Sequence, residues 1–220
     1  MKISVVKNIL EANQRIAEEN RRRFFQNRLL VINLMSSPGA GKTSLLERTI
    51  QSLKEGVRVG VVEGDIQSTY DAERIGQTGA PVVQINTGGA CHLDSNMIQE
   101  ALKDLDLARL DLLFIENVGN LVCPAEFNLG EDFKAMILSV AEGDDKPLKY
   151  PLMFHESRVL IINKIDLLPF CDCSPEVIEE RARKINPHLT IFRVSCRTGE
   201  GLDRWTGWLR EQVERRNQKG

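Results

Sequence analysis

The chain has 220 residues, enough for one α/β domain with a substantial core. Its 29 Lys and Arg against 31 Asp and Glu leave a net charge of −2, which supplies no basic field for nucleic acid. Five cysteines, an odd number with no secretory h-region, point to reduced thiols and a cytoplasmic protein. No apolar run reaches the ~20 residues a membrane helix needs.

Residues 1–28 show helical periodicity at Ile3, Val6, Leu10, Ile16, Ala17 and Phe24 among charges and amides. This predicts a helical N-terminal extension packed on a domain spanning 29–220. Arg21-Arg22-Arg23 reads as a solvated helix face. From Leu29 onward the pattern predicts strands at 29–35, 57–62, 81–85, 111–116, 135–142, 158–162 and 189–194. Helices are expected at 42–54, 69–76, 95–105, 175–185 and 201–216. Apolar strands without alternation, separated by helices, predict an α/β fold: a mainly parallel sheet with helices on both faces. Ligands then sit at the carboxyl ends of the strands, where loops 36–43, 63–68, 116–120 and 163–166 fall. Gly143–Pro151 reads as turn-rich and mobile, and Cys171-Asp-Cys173 as a surface loop. His155 and His188 read as structural or exposed.

The first loop, Ser36-Ser-Pro-Gly-Ala-Gly-Lys-Thr43, lies between a strand and a helix, the context that a phosphate-binding loop requires. Gly39, Ala40 and Gly41 let backbone N–H groups curl toward phosphate oxygens at the positive end of the next helix, which continues with Ser44. Lys42 would reach the β- and γ-phosphates, and the Thr43 hydroxyl would ligate Mg²⁺. Ser36 stands where the usual pattern has Gly, a small departure because the later residues make the closest contacts. The fold is therefore expected to be that of a P-loop NTPase.

About 120 residues on, the apolar run Arg158–Ile162 ends in Asn163-Lys164-Ile165-Asp166. An Asp there can accept two hydrogen bonds from the N1–H and amino group of guanine. Adenine lacks both donors, and a site built to bond such a group rejects analogues without it by roughly 10⁴-fold or more. Lys164 would lie along the base and Asn163 would brace the loop. Ser195 and Cys196, ending the next strand, would offer a backbone N–H to guanine O6. In order and spacing with the phosphate loop, these residues indicate GTP and GDP as ligands, and they argue against an ATP-dependent small-molecule kinase.

Two further strand ends carry acids: Glu63-Gly64-Asp65 and Glu116-Asn117-Val118-Gly119. Phosphoryl transfer needs Mg²⁺ to neutralise developing charge and a group to place the attacking water. Glu116 is the candidate for the Mg²⁺ shell, reaching the ion through a water. Asp65 would orient water or complete that shell, and the Gly119 N–H would sense the γ-phosphate. With no Gln after Gly119 and no assignable arginine finger, hydrolysis is expected to be slow, in the roughly 10⁻⁴–10⁻² s⁻¹ range of unassisted GTPases.

Gly88-Gly-Ala-Cys91-His92 and Asn120-Leu-Val-Cys123-Pro leave neighbouring parts of the sheet. Two thiolates and an imidazole suit Zn²⁺ or Ni²⁺, although buried free cysteines and a turn-capping His would leave the same residues.

Taken together, Ser-Ser-Pro-Gly-Ala-Gly-Lys-Thr, Glu-Gly-Asp-Ile-Gln, Asp-Ala-Glu-Arg-Ile, Gly-Ala-Cys-His-Leu-Asp, Glu-Asn-Val-Gly-Asn-Leu-Val-Cys-Pro and Asn-Lys-Ile-Asp resemble the nickel-incorporation GTPases of [NiFe]-hydrogenase maturation, from about residue 5 to 213. The resemblance implies a metallochaperone that hydrolyses GTP and assists nickel insertion into the hydrogenase large subunit, working with other nickel-maturation accessory proteins. It also implies a Ni²⁺ or Zn²⁺ site of Cys91, His92 and Cys123 at a nucleotide-dependent homodimer interface. Some members add N-terminal Cys or His motifs; residues 1–28 contain neither residue, so those functions are not carried over. The Cys91-His92 pair and the placement of Cys123 argue against the urease-accessory and cobalamin-enzyme types. A dimer held by purely structural zinc remains the non-enzymatic alternative.

Overall fold

The strand β1 (Leu30–Ser36) is buried along its whole length, as a Leu/Val/Ile run covered on both faces must be. It pairs in parallel with β4 (Leu112–Glu116) on one side and β5 (Phe133–Ser139) on the other. β2 (Val59–Asp65), β3 (Val82–Asn86), β6 (Ser157–Asn163) and β7 (Thr190–Arg193) complete a seven-stranded parallel sheet in the order β3-β2-β4-β1-β5-β6-β7. The chain thus leaves β1 toward one edge, returns through β4, and continues to the other edge from β5. That reversal opens a crevice at the carboxyl ends of the central strands. The computed structural model describes residues 2–66 and 68–218.

Alternate strand residues face two layers of helix. On one face Ile32, Leu34, Phe114 and Ile137 pack with Leu46 and Ile50 of α2 (Lys42–Leu53) and with Trp205 and Leu209 of α9 (Leu202–Gln218). The opposite face carries two separate apolar clusters. One holds Val31, Leu113 and Ile115 with Phe24 of α1 (Lys2–Gln26) and Ile98 of α4 (Ser95–Ala101). The other holds Met35, Met136 and Leu138 with Phe154 of α7 (Pro151–Glu156) and Ile178 of α8 (Pro175–Ile185). The remaining short helices are α3 (Tyr70–Gly76), α5 (Cys123–Glu126) and α6 (Lys146–Lys149).

Helix α1 docks through amides as much as through apolar groups. Its buried stripe is Asn13, Ala17, Asn20 and Phe24, whereas Leu10 and Ile16 are only half buried. The side chains of Ile3 and Val6 lie outside the described residues, as does Gln67. Asn13 Oδ1 accepts from Ser95 N at 2.8 Å, and Asn20 Nδ2 donates to the carbonyls of Ser95 (2.9 Å) and Leu129 (3.2 Å). Gly130, at φ +98°, lies so close that a Cβ there would meet Ala17 O at 2.6 Å. The reading of Arg21–Arg23 as a solvated face is corrected in part. Arg21 reaches Asn128 Oδ1 and Glu131 O, and Arg23 reaches Leu102 O at 2.9 Å.

Other boundaries shift for local reasons. The helix expected over 95–105 stops at Ala101, where hydrogen bonds tighten to Lys103 N–Glu100 O and Asp104 N–Ala101 O. The strand expected over 135–142 runs from 133 to 139. Ser139 then caps a 3₁₀ turn, accepting from Ala141 N while its own N–H donates to Glu142 Oε1. Residues 143–151 fold into α6 and the start of α7, each opened by a proline, with Arg181 bound to Asp144 O and Oδ1. Residues 171–173 form a surface loop, as expected, with Asp172 exposed and the half-buried Cys171 and Cys173 turned inward against the cluster around Phe154.

Candidate functional site

The phosphate loop curls between β1 and α2 through two left-handed glycines, Gly39 (φ +76°) and Gly41 (φ +101°). At Gly41 a Cβ would lie 2.5 Å from Asn163 Nδ2, so a side chain there would push away the amide that binds Ala40 O. Lys42 Nζ donates to Ser36 Oγ at 3.0 Å, so the serine that replaces the usual glycine gives the ammonium a partner inside the loop. Burial holds the Lys42 pKa below its ordinary value, against the pull of Glu116 and other nearby acids. Gly119 lies against the same loop: a Cβ there would approach Pro38 N to 2.9 Å, so its small size is what allows the contact.

Acids converge beside Lys42 and Thr43. Thr43 Oγ1 donates to Glu116 Oε1 at 2.8 Å. Glu116 stands in register with Glu63 on the neighbouring strand. Both are buried, and Glu63 Oε2 and Glu116 Oε2 have no hydrogen-bond partner among the described residues. Burial pushes Glu63 up to about 8, reinforced by the Glu116 charge, and pushes Glu116 up to about 7 against the pull of Lys42. Glu63, Asp65 and Asp71 bring one carboxylate oxygen each within 4.8 Å of one another. Asp65 also accepts from Ser68 N at 2.7 Å. Two orphaned buried carboxylate oxygens beside a threonine hydroxyl are a donor set that fits a hard divalent cation such as Mg²⁺.

The loop after β6 is tied to the phosphate loop. Asn163 Nδ2 donates to Ala40 O at 2.9 Å, and Lys164 Nζ to Gly39 O at 2.6 Å. Asp166 Oδ1 accepts from Ser195 Oγ at 2.6 Å, which fixes the carboxylate's rotation. Ser195 N is engaged with Glu200 O, while Cys196 N reaches Asn163 Oδ1 at 3.3 Å, a long contact. Gly41, Ser44, Asn163, Lys164, Asp166 and Cys196 line one cavity of about 350 Å³, at the low end of the volumes that hold small ligands.

A third cluster lies on the loops following β3 and β4. Cys91 Sγ is 3.2 Å from Cys123 Sγ and 3.7 Å from His92 Nδ1, and a ligand atom from each of the three falls within 4.8 Å. The adjacent Cys91 thiol, together with burial, pushes the Cys123 pKa up, while burial keeps His92 toward the neutral imidazole that a metal requires. Asn120 stitches the two loops together, donating to Cys91 O at 3.4 Å and accepting from Val122 N at 2.8 Å. His92 stacks at 3.9 Å on Phe127.

Comparison with known proteins decides the family. Residues 30–193 match the model of the CobW/HypB/UreG nucleotide-binding domain. Hydrogenase maturation factor HypB of Azotobacter vinelandii is 53% identical over 96% of this chain and 69% of its own length. The chain belongs to the HypB hydrogenase maturation factor family. Two solved relatives share its fold closely. Helicobacter pylori HypB in complex with nickel has TM-score 0.88 and 40% identity over 93% of this chain and 96% of that one. The Archaeoglobus fulgidus factor has TM-score 0.87 and 39% identity over 93% and 100%. As a HypB-family member the chain is a P-loop GTPase, and the matched span runs from the phosphate loop through Asp166, with Ser195 and Cys196 just beyond it.

Several residues at this HypB-type site escape a reading of motifs alone. Glu63 was visible at a strand end beside Asp65, but its burial and its register with Glu116 needed the sheet. Arg74 donates to Ser44 Oγ at 3.2 Å while paired with Glu47 and Asp71, so α3 is clamped to α2. Asn33, Glu131 and Lys134 lie far apart in the chain and carry no motif, and Asn117, although inside the Glu116–Gly119 motif, had no role assigned to it.

Proposed function

We propose that this GTPase delivers Ni²⁺ during [NiFe]-hydrogenase maturation, with Cys91, His92 and Cys123 as transit ligands between two copies of the chain. The observation that carries this reading is the close approach of the two thiols and the imidazole, with Cys123 on a loop that passes through a glycine pressed against the phosphate loop. The H. pylori relative, solved with nickel, supports the choice of metal.

The residues divide the work as follows. Backbone N–H groups of residues 39–44 bind phosphate oxygens, and Lys42 exchanges Ser36 Oγ for the β- and γ-phosphates. Asp166, oriented by Ser195, accepts from guanine. Thr43, Glu116, Glu63 and Asp65 would hold Mg²⁺, which neutralises charge developing on the transferred phosphoryl group. A γ-phosphate seated at Pro38–Lys42 meets Gly119, and any shift there passes to Cys123 four residues on. At ~3.3–3.6 Å per residue, those four steps reach at most about 14 Å. Two sulfurs each about 2.3 Å from a tetrahedral ion lie roughly 3.8 Å apart, so loading parts the thiols only slightly. A small movement of the Cys123 loop would therefore change the ligand set.

The test is a Ni²⁺ titration of the protein bound to GDP and to a non-hydrolysable GTP analogue, beside Cys123→Ala. Wild type should differ between the two nucleotides by roughly fivefold or more, the lower end of common coupling energies. Cys123→Ala should lose this site and keep GTP binding. Equal Ni²⁺ affinities in wild type would leave a structural metal site with no switch.

A further inference from the structure

One row of buried polar groups serves no purpose in nucleotide or metal contact. Asn33 is completely buried in the middle of β1, flanked on both sides by apolar residues, Leu30–Ile32 and Leu34–Met35. Its register partner on β5 is Lys134, itself buried, and the pair fills the gap between the two apolar clusters on that face of the sheet. Hydrogen bonds extend from Asn33 in both directions. Toward the nucleotide, Asn33 Oδ1 accepts from Asn117 Nδ2 at 3.2 Å. Asn117 Oδ1 in turn accepts from Val118 N at 3.0 Å and from Leu93 N at 3.1 Å. Toward the helix layer, Asn33 Nδ2 donates to Glu131 Oε1 at 3.3 Å, and Glu131 Oε2 accepts from Leu129 N at 2.7 Å. Lys134 Nζ lies 4.0 Å from Glu131 Oε1 and donates to Ala125 O at 2.6 Å.

The direction of the chain is fixed by its ends. A carboxylate can only accept and an ammonium can only donate, so each amide between Leu93 and Glu131 has one consistent orientation. Those ends matter because of where they fall. Leu93 follows His92, Val118 precedes Gly119, and Ala125 lies two residues past Cys123. A single buried network thus grips the peptide groups beside the phosphate-sensing glycine and beside both halves of the thiol cluster.

We infer that Asn117, Asn33, Glu131 and Lys134 are positioning residues that lock the Cys91-His92 loop and the Cys123 helix to one arrangement of residues 117–119. The inference rests on the nucleotide-dependent metal site proposed above and names the groups that transmit it. Buried polar groups have discrete satisfied arrangements, because a half-broken network leaves desolvated donors. When Val118 shifts, Asn117 cannot hold both Val118 N and Leu93 N, and the loop carrying His92 must follow. Through Asn33 and Glu131 the same displacement reaches Lys134 and Ala125 O in the single turn of α5. Covalent passage from Gly119 to Cys123 reaches the Cys91 loop only through the long Asn120–Cys91 O contact of 3.4 Å; the network grips both loops through buried bonds.

Two measurements test it. The first uses Glu131→Gln with Lys134→Met, which removes both buried charges together and leaves neither unpaired. Ni²⁺ affinity is measured with GDP and with the GTP analogue. The double variant should bind GTP within about twofold of wild type, while its Ni²⁺ affinity ratio falls from fivefold or more to within twofold of one. An unchanged ratio overturns the network and leaves the metal switch standing. A wild-type ratio of one overturns the switch and the network with it. The second measurement needs no variant. Amide hydrogen exchange of wild type should change at Leu93 and Leu129 together with Val118 when GDP is replaced by the analogue. A response at Val118 with Leu93 and Leu129 unmoved overturns the inference, whether or not the double variant folds.

Discussion

Glu63 and Glu116 show how much chemistry a strand end can store. Each is buried with an oxygen that no described residue satisfies, a state that ordinarily costs several kcal/mol per ionised group. That cost is avoided by holding protons, at about 8 for Glu63 and about 7 for Glu116 against 4.5 for the free side chain. The sign follows. Between pH ~4.5 and ~8 the folded state binds more protons than the unfolded one, so stability falls as pH rises. His92 works oppositely below its ordinary 6.5, because burial lowers its pKa and favours folding once the imidazole is neutral. The clean comparison is therefore wild type against Glu116→Gln, and the Tm of wild type should drop more steeply from pH 5 to 8. Mg²⁺ with nucleotide should replace those protons, so calorimetry in buffers of different ionisation enthalpy should record proton release near pH 7. Binding with no proton release would remove Glu63 and Glu116 from the cation site.

Among the elements, α1 is where sequence and structure diverge most usefully. The strands were legible because buried parallel strands are continuous apolar runs, and each of the seven expected ones is present within a few residues. The phosphate and guanine loops were legible because their chemistry needs adjacent residues. Helix α1 was legible as a helix, but its docking face was not. Half of its buried stripe is asparagine, and nothing in a periodicity of apolar residues selects Asn13 or Asn20. The same blindness hid Asn33 and Lys134, whose partners lie far along the chain. The amides have a measurable role. Asn20 donates to two backbone carbonyls in a buried joint, so Asn20→Ala leaves Ser95 O and Leu129 O without that donor. A loss of about 1–3 kcal/mol in denaturant unfolding is expected, with C_m shifted and the m-value unchanged. A shift under about 0.5 kcal/mol would mean that Ala17 and Phe24 hold the helix unaided.

At the scale of the whole molecule the question is whether one chain can hold the metal alone. Zn²⁺ sites built for retention use four protein ligands, whereas Cys91, His92 and Cys123 could supply three from one chain. A two-fold axis beside this cluster would bring the second set into reach and complete the shell. Val122, next to Cys123, is an exposed apolar side chain suited to such a contact. If the site is shared, metal binding and dimerisation are linked reciprocally, each strengthening the other by one common factor. Apparent Ni²⁺ affinity must then rise with protein concentration across the range in which the mass measured by sedimentation doubles. Cys123→Ala should still sediment with whatever metal-independent dimer remains, but Ni²⁺ should no longer shift its equilibrium. The GTP analogue should displace both wild-type curves, affinity and mass, by the same factor relative to GDP. A Ni²⁺ affinity that stays constant while the mass doubles would mean that each chain closes its own site, and delivery across a dimer interface would have to be abandoned.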